Sequence, residues 1–414
     1  MKAVAGRRTA RVTSRRSRLT GFISPQSASR FTTYQCHGVI PTATAFTAST
    51  NGWRCARSTW ARLPLGPGQD VATVATVTMS DWRCKDASGR PVMDMRSRDL
   101  DPRLFGLGLQ RGALFGLLDA AWQEGRTIHC GATVATVDAE QGQLTLADGR
   151  VHAGFDLIIV ADGAASGLRG QVAKARLNRP YPWGAQWCLV DQGDWPDRDE
   201  LQQRYVGARR MAGMLPVGTR QGDPVPKLSF FWSVPLSVLD RNATDPDQWR
   251  EDVATVWPQA AERPHRTEIP GGLASARYRD AVHRTWSRGC AVLLGDAAHA
   301  MSPQLGQGVN MALLDARSLR DALRYAHSIP EALGAYQQDR RHHIGIYHFW
   351  SRWLTPLFQS ERDLAAWGRD RVFHPMSRLP LGRGQMLRVL TGIRRGWWGK
   401  HALSPKFLEA LGNT

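Results

Sequence analysis

Apolar and polar positions divide this chain into stretches of different period. After Arg111-Gly112, Leu114, Leu117, Leu118 and Ala121 recur at helical spacing, and Gly125 stands where such a helix would end. Ile128 to Val137 then reads as a strand, and a turn near Gln141-Gly142 leads to a second strand over Gln143–Leu146. Asp148-Gly149 predicts a tight hairpin before Val151. This meander feeds Phe155–Val160, a short continuous apolar run typical of a strand buried in a parallel sheet. From about Arg176 to His283, short alternating stretches such as Leu228–Val234 predict an antiparallel sheet. Trp183, Trp187, Trp232, Trp249 and Trp257 read as its packing residues. Cys290–Leu294 is another buried-strand run, and beyond it the chain is predicted mainly helical to about Asp370. Val309, Leu313, Ala316, Leu319 and Leu323 supply the apolar stripe of the first long helix there.

No period of 2 or 3.6 runs through the first seventy residues, and charge sharpens the contrast. The whole chain of 414 residues carries a net charge of +18. Residues 1–69 hold one Lys and ten Arg with no acid, which is +11, leaving 18 − 11 = +7 for the rest. Such a segment fits a transit peptide, a basic arm, or a stretch translated out of frame. Gly6-Arg7-Arg8-Thr9-Ala10-Arg11 does not supply a glycine turn for a pyrophosphate, and Gly66-Pro67-Gly68 is an isolated GxG that reads as a loop. The bulk of the protein is therefore only mildly basic, which weakens a nucleic-acid reading. No apolar run is long enough for a membrane-spanning helix. Six cysteines without a CxxC pair predict reduced thiols in a cytoplasmic protein and argue against structural zinc. The tail from Arg371 to Lys400 is basic and aromatic, with Trp397 and Trp398 beside Arg394 and Arg395. It reads either as a solvated basic face or as a weak contact with a membrane surface.

The chemistry concentrates where a buried strand ends in Gly295-Asp296-Ala297-Ala298-His299, followed by Pro303 and by Gly306-Gln307-Gly308-Val309-Asn310 at a helix start. An Asp at a strand end can accept hydrogen bonds from sugar hydroxyls. Glycines allow close backbone approach, and N–H groups at a helix N-terminus suit a group that gains negative charge. This pattern, continued by Asp315-Ala316 and Leu319, closely resembles the GD motif of the flavoprotein aromatic hydroxylases, the family of para-hydroxybenzoate, salicylate and ubiquinone-pathway hydroxylases. Asp156 to Arg169, with Asp162-Gly163 at its centre, resembles the family's DG motif.

The resemblance, spanning about residues 95 to 380, implies an α/β fold. Its parts would be a Rossmann-like FAD-binding domain whose first βαβ unit is unreadable here, an inserted antiparallel-sheet substrate domain, and a helical C-terminal part. The implied boundaries are an atypical basic segment over 1–75, FAD-binding parts over 76–175 and 285–345, a substrate sheet over 176–284, and a helical basic region over 346–414. By the same resemblance Gly295 and Asp296 hold the ribityl chain of FAD. Pro303 lies near the reactive edge of the ring, and Gly306, Gln307, Gly308, Val309 and Asn310 cover its pyrimidine side. Asp162 and Gly163 lie near the pyrophosphate and serve NADPH or NADH, Arg111 contacts FAD, and Val134 lies against adenine. The implied reaction is hydroxylation of a small aromatic molecule by O2 through a flavin C4a-hydroperoxide, with no protein nucleophile and no catalytic base assigned. His299 reads as a structural part of the motif. Substrate contacts are expected from the antiparallel sheet, including the region Arg204–Val217.

Three rivals stand beside this reading. The first is a flavin-dependent halogenase or reductase on a related fold; a halogenase would carry a WxWxIP-type signature, and none is present. An inactive remnant is motivated by the missing GxGxxG, and a nucleic-acid-binding protein by the charge. The coding DNA of the basic first segment, residues 1–75, discriminates among the readings of the N-terminus. A strand followed by GxGxxG and a helix in another frame marks that stretch as out of frame, whereas their absence from all frames makes it a genuine arm or leader.

Overall fold

Two parallel pairs and one large sheet organise the fold, which is taken from a computed structural model. It is described for residues 19–23, 76–79, 81–86, 88–102, 104–120, 126–220, 222–242, 246–266 and 273–400. Most of the basic first segment, the expected helix end at Ala121 and Gly125, and the last residues of the chain lie outside the described residues. Within the first segment, Leu19–Ile23 is a strand paired in parallel with Arg126–Cys130, where the sequence predicts no element. Five residues with one Gly and one Thr are too short for a period to register.

The buried-strand runs form the second parallel pair, with Ile158 opposite Ala291, Ile159 opposite Val292 and Val160 opposite Leu293. These strands are shorter than their apolar runs, Ile158–Val160 and Ala291–Leu293. The expected strand from Ile128 to Val137 is in fact two, Arg126–Cys130 and Val134–Asp138. Between them Gly131 takes φ 71°, a conformation that breaks a strand and favours glycine. Val134–Asp138, Gln143–Leu146 and Val151–Ala153 form the expected meander, with Gly149 at φ 85° in its hairpin.

The predicted antiparallel region is the heart of a seven-stranded sheet. Ala175–Asp191 pairs with Ala274–His283 on one side and Asp223–Pro235 on the other, and Arg210–Arg220 and Glu200–Val206 follow. Asp81–Asp86 and Pro91–Arg96 extend this sheet, the former pairing in parallel with Glu200–Val206. Side chains alternate between faces as strand geometry requires. Cys188, Val190, Ala212, Met214, Phe230, Trp232 and Val234 point to one face, where Leu239, Trp249, Val253 and Trp257 cover them. The covering helices, Leu236–Asn242, Pro246–Val256 and Pro258–Arg266, are not predicted from the alternating pattern around them. Part of the other face holds Cys84, Val92, Tyr205 and Met211 against Phe358 and Phe373. All five tryptophans expected to pack are buried. Arg204, in the region expected to meet substrate, lies over the Trp257 ring at 4.8 Å.

Helices dominate beyond the second parallel strand: Gly308–Tyr325, Ile329–Phe358, Asp363–Arg378 and Pro380–Leu390. The buried face of the first is Met311, Ala312, Asp315, Ala316 and Leu319, so it is turned from the predicted stripe; Val309 and Leu313 are only half-buried. A carboxylate on that face is the reason, since an apolar template rejects a position that a distant arginine satisfies.

Trp249 shows how much the helical cover contributes. It is 2% exposed and meets Phe230 edge-on at a ring separation of 5.7 Å. Trp249→Ala should lower the unfolding free energy by about 3–5 kcal/mol in urea titration, the range for deleting a buried aromatic ring.

Candidate functional site

The C-terminal ends of the two parallel strands stand side by side, and each carries one Gly/Asp pair. Val160 runs into Ala161-Asp162-Gly163, and Leu293 into Leu294-Gly295-Asp296; Leu294 N–H donates to Val160 O at 3.0 Å. Polar ligands of open α/β sheets sit outside such strand ends. The register alone therefore brings Asp162, Gly163, Gly295 and Asp296 to one edge.

Gly295 is required twice over. Its φ of 61° and ψ of −140° are strained for any side chain, and a Cβ there would lie 3.2 Å from the Ala312 Cβ. Helix Gly308–Tyr325 can approach the turn this closely because Asp315, fully buried on it, accepts the Gly295 N–H at 3.0 Å. The same carboxylate accepts from His299 Nε2 at 2.5 Å and from Arg340 Nε at 2.8 Å. Arg340 passes on to His343 Nδ1 at 2.6 Å, whose Nε2 donates to Gly392 O at 3.0 Å. His299 is thus a structural member of the turn, as its place in the motif suggests. Burial by itself would raise the Asp315 pKa, but the His299 and Arg340 side chains outweigh it and hold the carboxyl at about 2.

Past the turn, Pro303–Leu305 makes one 3-10 turn that ends at Gly306, φ 62°. Helix Gly308–Tyr325 then begins with Gln307 as its first flanking residue and no side-chain cap. Its leading N–H groups are available to a ligand, and the Asp296 carboxylate lies beside them, 3.9 Å from where a Gly308 Cβ would be. The expected cofactor residues differ in what they do. Gln307 turns its amide inward, donating to Leu390 O at 2.6 Å and accepting from Asn310 Nδ2 at 3.0 Å. Val309 is half-buried, and Pro303 stands at the start of the turn.

On the neighbouring strand end Asp162 accepts from Leu168 N–H at 3.4 Å through Oδ2, while its Oδ1 is buried without a hydrogen-bond partner. Arg169 joins the two motifs. Its Nη2 donates to Gly163 O at 2.9 Å, Ala164 O at 2.5 Å and Asp296 O at 3.4 Å. Its Nε and Nη1 are buried and unpartnered. Burial draws its pKa down, against the pull of Asp162. Arg169, Asp315, Arg340 and His343 were not marked from sequence as site residues. The available signal was a charged residue inside an apolar stripe at Asp315, and an Arg closing the strand–turn segment at Arg169.

Arg111 and Val134 lie on other elements, and Val134 packs against the core cluster that holds Val160, Leu293 and Ala297. Arg111 opens helix Arg111–Ala120, and its side chain lies outside what is described; the preceding Gln110 ties this helix to the large sheet by donating to Gly218 O at 2.9 Å. Val134 is half-buried at the start of the meander, opposite Leu146.

A seam between sheet and helix lies next to the Pro303 turn. Ala281 N–H donates to Ala300 O at 2.9 Å, and Ser351 Oγ donates to Ser302 O at 3.2 Å, so the large sheet and the Ile329–Phe358 helix meet behind the Pro303 turn. Ser302 Oγ, Gln304 Nε2 and His283 Nε2 are buried here without hydrogen-bond partners. Fully buried Asp280 accepts two bonds from Arg352, both 2.8 Å. His348 Nδ1 is 3.7 Å from Asp280, yet that carboxylate is already matched by Arg352. Burial, reinforced by His299, Arg352 and His283, pushes the His348 pKa down to about 3.

The orphaned polar atoms of Asp162 and Arg169, the uncapped helix and the Asp296 carboxylate fit the flavin side of an FAD molecule. The sequence profile of the FAD binding domain family matches residues 102–345, more than half of the chain. Among curated proteins, aurachin C monooxygenase/isomerase of Stigmatella aurantiaca is 31% identical over 240 residues, covering 56% of this chain and 59% of its own. Kynurenine 3-monooxygenase of Xanthomonas campestris pv. campestris is 28% identical over 297 residues, covering 66% and 62%. The chain thus spans about three fifths of the length of these relatives. Klebsiella pneumoniae HpxO, solved with FAD and uric acid, shares the fold with a TM-score of 0.61 at 20% identity, over 76% of this chain and 82% of that one.

Two pH windows follow. Asp315 titrates lower in the folded chain than its ordinary 3.8, so its contribution is full above that value and is lost as pH falls toward 2. His348 also titrates below its ordinary 6.5, so the unfolded chain takes up a proton first and stability declines from 6.5 toward 3. Denaturant titration across pH should show both declines. His348→Gln should flatten the upper window, and Asp315→Asn the lower. Asp315→Asn should also cost about 3–5 kcal/mol at neutral pH by leaving Arg340 uncompensated.

Proposed function

This chain belongs to the FAD binding domain family, and from that premise we propose that it is an FAD-dependent monooxygenase, driven by NADPH or NADH, that hydroxylates a small electron-rich aromatic molecule with O2. The observation that carries the reading is the Gly295-Asp296 turn, fixed by Asp315 against the uncapped N-terminus of helix Gly308–Tyr325. When bound, FAD supplies the redox chemistry, taking reducing equivalents from the nicotinamide and passing them to O2.

The protein's own part is to bind, orient and exclude water. The Asp296 carboxylate accepts hydrogen bonds from the ribityl hydroxyls. The N–H groups at Gly308, Val309 and Asn310 would serve the pyrimidine side of the ring, where the helix end would favour negative charge. Arg169 offers its two unspent nitrogens to the polar part of the cofactor beside Asp162. The aromatic substrate rests at the seam between the Pro303 turn and the large sheet, where the buried unpartnered Ser302 Oγ, Gln304 Nε2 and His283 Nε2 can satisfy its polar groups. The names of the relatives, with kynurenine and aurachin C as what is oxygenated, support an aromatic substrate.

An inactive remnant is the second reading, favoured by the absence of a GxGxxG turn in the first seventy residues. Purified full-length protein should be yellow, or gain a flavin spectrum on adding FAD, and should oxidise NADPH or NADH. Asp296→Ala should weaken FAD about tenfold or more in fluorescence titration, with the circular dichroism spectrum unchanged. Colourless protein that takes up no FAD would sink the oxygenase reading and leave the remnant.

A further inference from the structure

The described C-terminal quarter turns many of its aromatic side chains outward. On helix Ile329–Phe358, Phe349 and Trp353 are 41% and 50% exposed. Ring contacts run unbroken from Trp353 to Trp350 at 5.6 Å, from Trp350 to Phe349 at 5.5 Å, and from Phe349 to Trp397 at 4.6 Å. Trp397 and Trp398 are the tip of a small hairpin, Arg394–Arg395 against Gly399–Lys400, and Trp398 is 91% exposed. The next helix, Asp363–Arg378, exposes Leu364, Trp367 and Val372, with the Arg371 guanidinium over the Trp367 ring at 4.0 Å. A row of exposed aromatics this long marks a contact surface.

Charge selects the occupant. Residues 341–400 hold ten arginines and one lysine against three carboxylates, a net +8, which the pairing of Arg352, Arg383 and Arg395 with Asp280, Asp99 and Asp339 from outside the stretch reduces by three, 8 − 3 = +5. A second copy would bring the same sign. The first 69 residues bring +11, and the fourteen beyond Lys400 bring one lysine and one glutamate. None of these complements the surface, whereas an anionic one does. The rings pack edge to face, with interplanar angles of 67° for Phe349–Trp397 and 89° for Trp350–Trp353. They do not offer the parallel faces on which nucleic-acid bases stack. Exposed indoles among arginines are instead what settles at the headgroup level of a bilayer. No helix among the described residues is long and apolar enough to cross a membrane, so the contact would lie along its surface.

We propose that the Trp397-Trp398 hairpin tip and the aromatic row beside it form a docking face for an anionic lipid surface. The arginines supply the long-range attraction and the indoles the short-range anchoring. This proposal stands apart from the oxygenase reading and can fail without it.

Flotation of the full-length chain tests it, using vesicles of equal parts phosphatidylglycerol and phosphatidylcholine against phosphatidylcholine alone. The expected result is association with the anionic vesicles only, falling as salt rises. Trp398→Ser keeps every charge, including those of the basic N-terminal segment, and changes a side chain that is nearly all in solvent. With Trp397→Ser added it should weaken partition about tenfold, as losing buried aromatic area would. Trp398→Phe should retain most of the binding. Unchanged melting of the single Trp398→Ser variant separates a lost contact from a lost fold. No association, or equal association of parent and Trp398→Ser/Trp397→Ser variant, would overturn the proposal. So would Trp398-dependent retention of single-stranded RNA, or a Trp398-dependent oligomer in light scattering, without vesicle binding.

Discussion

One buried carboxylate positions the rest of the site. Asp315 accepts from Gly295 N–H, His299 Nε2 and Arg340 Nε, and these donors come from a strand-end turn, a short helical turn and a helix further along the chain. A charge without partners is very costly in the interior, so Asp315 can be buried only when all three segments are in place. That requirement holds helix Gly308–Tyr325 against Gly295 to within hydrogen-bond tolerance. Its uncapped N-terminus and the Asp296 carboxylate then share one corner as a consequence. The binding groups need no local support of their own, because the support lies one layer behind them.

How much of this was readable follows from which interactions are local. The Gly295-Asp296 turn is legible because a φ of 61° and a close helix leave few options except glycine, and because Gly306, at φ 62°, repeats the backbone demand nearby. The approach of Asp162-Gly163 to that turn is a matter of strand pairing across some 130 residues, which no period reveals. Asp315 misled the stripe on its own helix, since its partner Arg340 lies 25 residues on. Gln307 was expected to face the cofactor on the strength of its place in the motif. Its amide is bonded to Leu390 O and Asn310 Nδ2, a pairing that its place in the motif does not reveal.

The large sheet shows the same division. Alternation of Leu228–Val234 located a strand correctly, yet both of its faces carry buried residues, with Phe230 and Trp232 toward one and Ser229 and Ser233 on the other. Helices 236–266 cover one face, and a single alternating strand does not say whether helices or another sheet will cover it. Gly213 illustrates a purely cross-strand requirement: the Phe231 ring opposite lies where its Cβ would be, 2.0 Å from Cζ. Such a glycine has no signature along its own strand. The seam at Asp280 and Arg352 is of this kind too, joining sheet to helix over 72 residues and closing the back of the Pro303 turn.

The polar chain that starts at Gly295 does not end at the site. It continues from Arg340 through His343 to Gly392 O, at the base of the exposed hairpin. Gly392, at φ 80°, leaves no room for a side chain, because a Cβ would lie 2.6 Å from Gln307 Oε1. Gln307 in turn flanks the helix N-terminus. The hairpin is therefore pinned at its base to the residues that border the cofactor corner, and along its side by Arg395 to Asp339 at 3.0 Å and Trp397 to Phe349. Two hydrogen-bonded side chains, Arg340 and His343, separate the Asp315 carboxylate from that base. A surface element held so directly cannot shift without straining either the Gln307 amide or the Asp315 cluster. The two ends of the network are joined through hydrogen-bonded, buried side chains, which ties the geometry of the binding corner to the base of the C-terminal hairpin as well as to the motif itself.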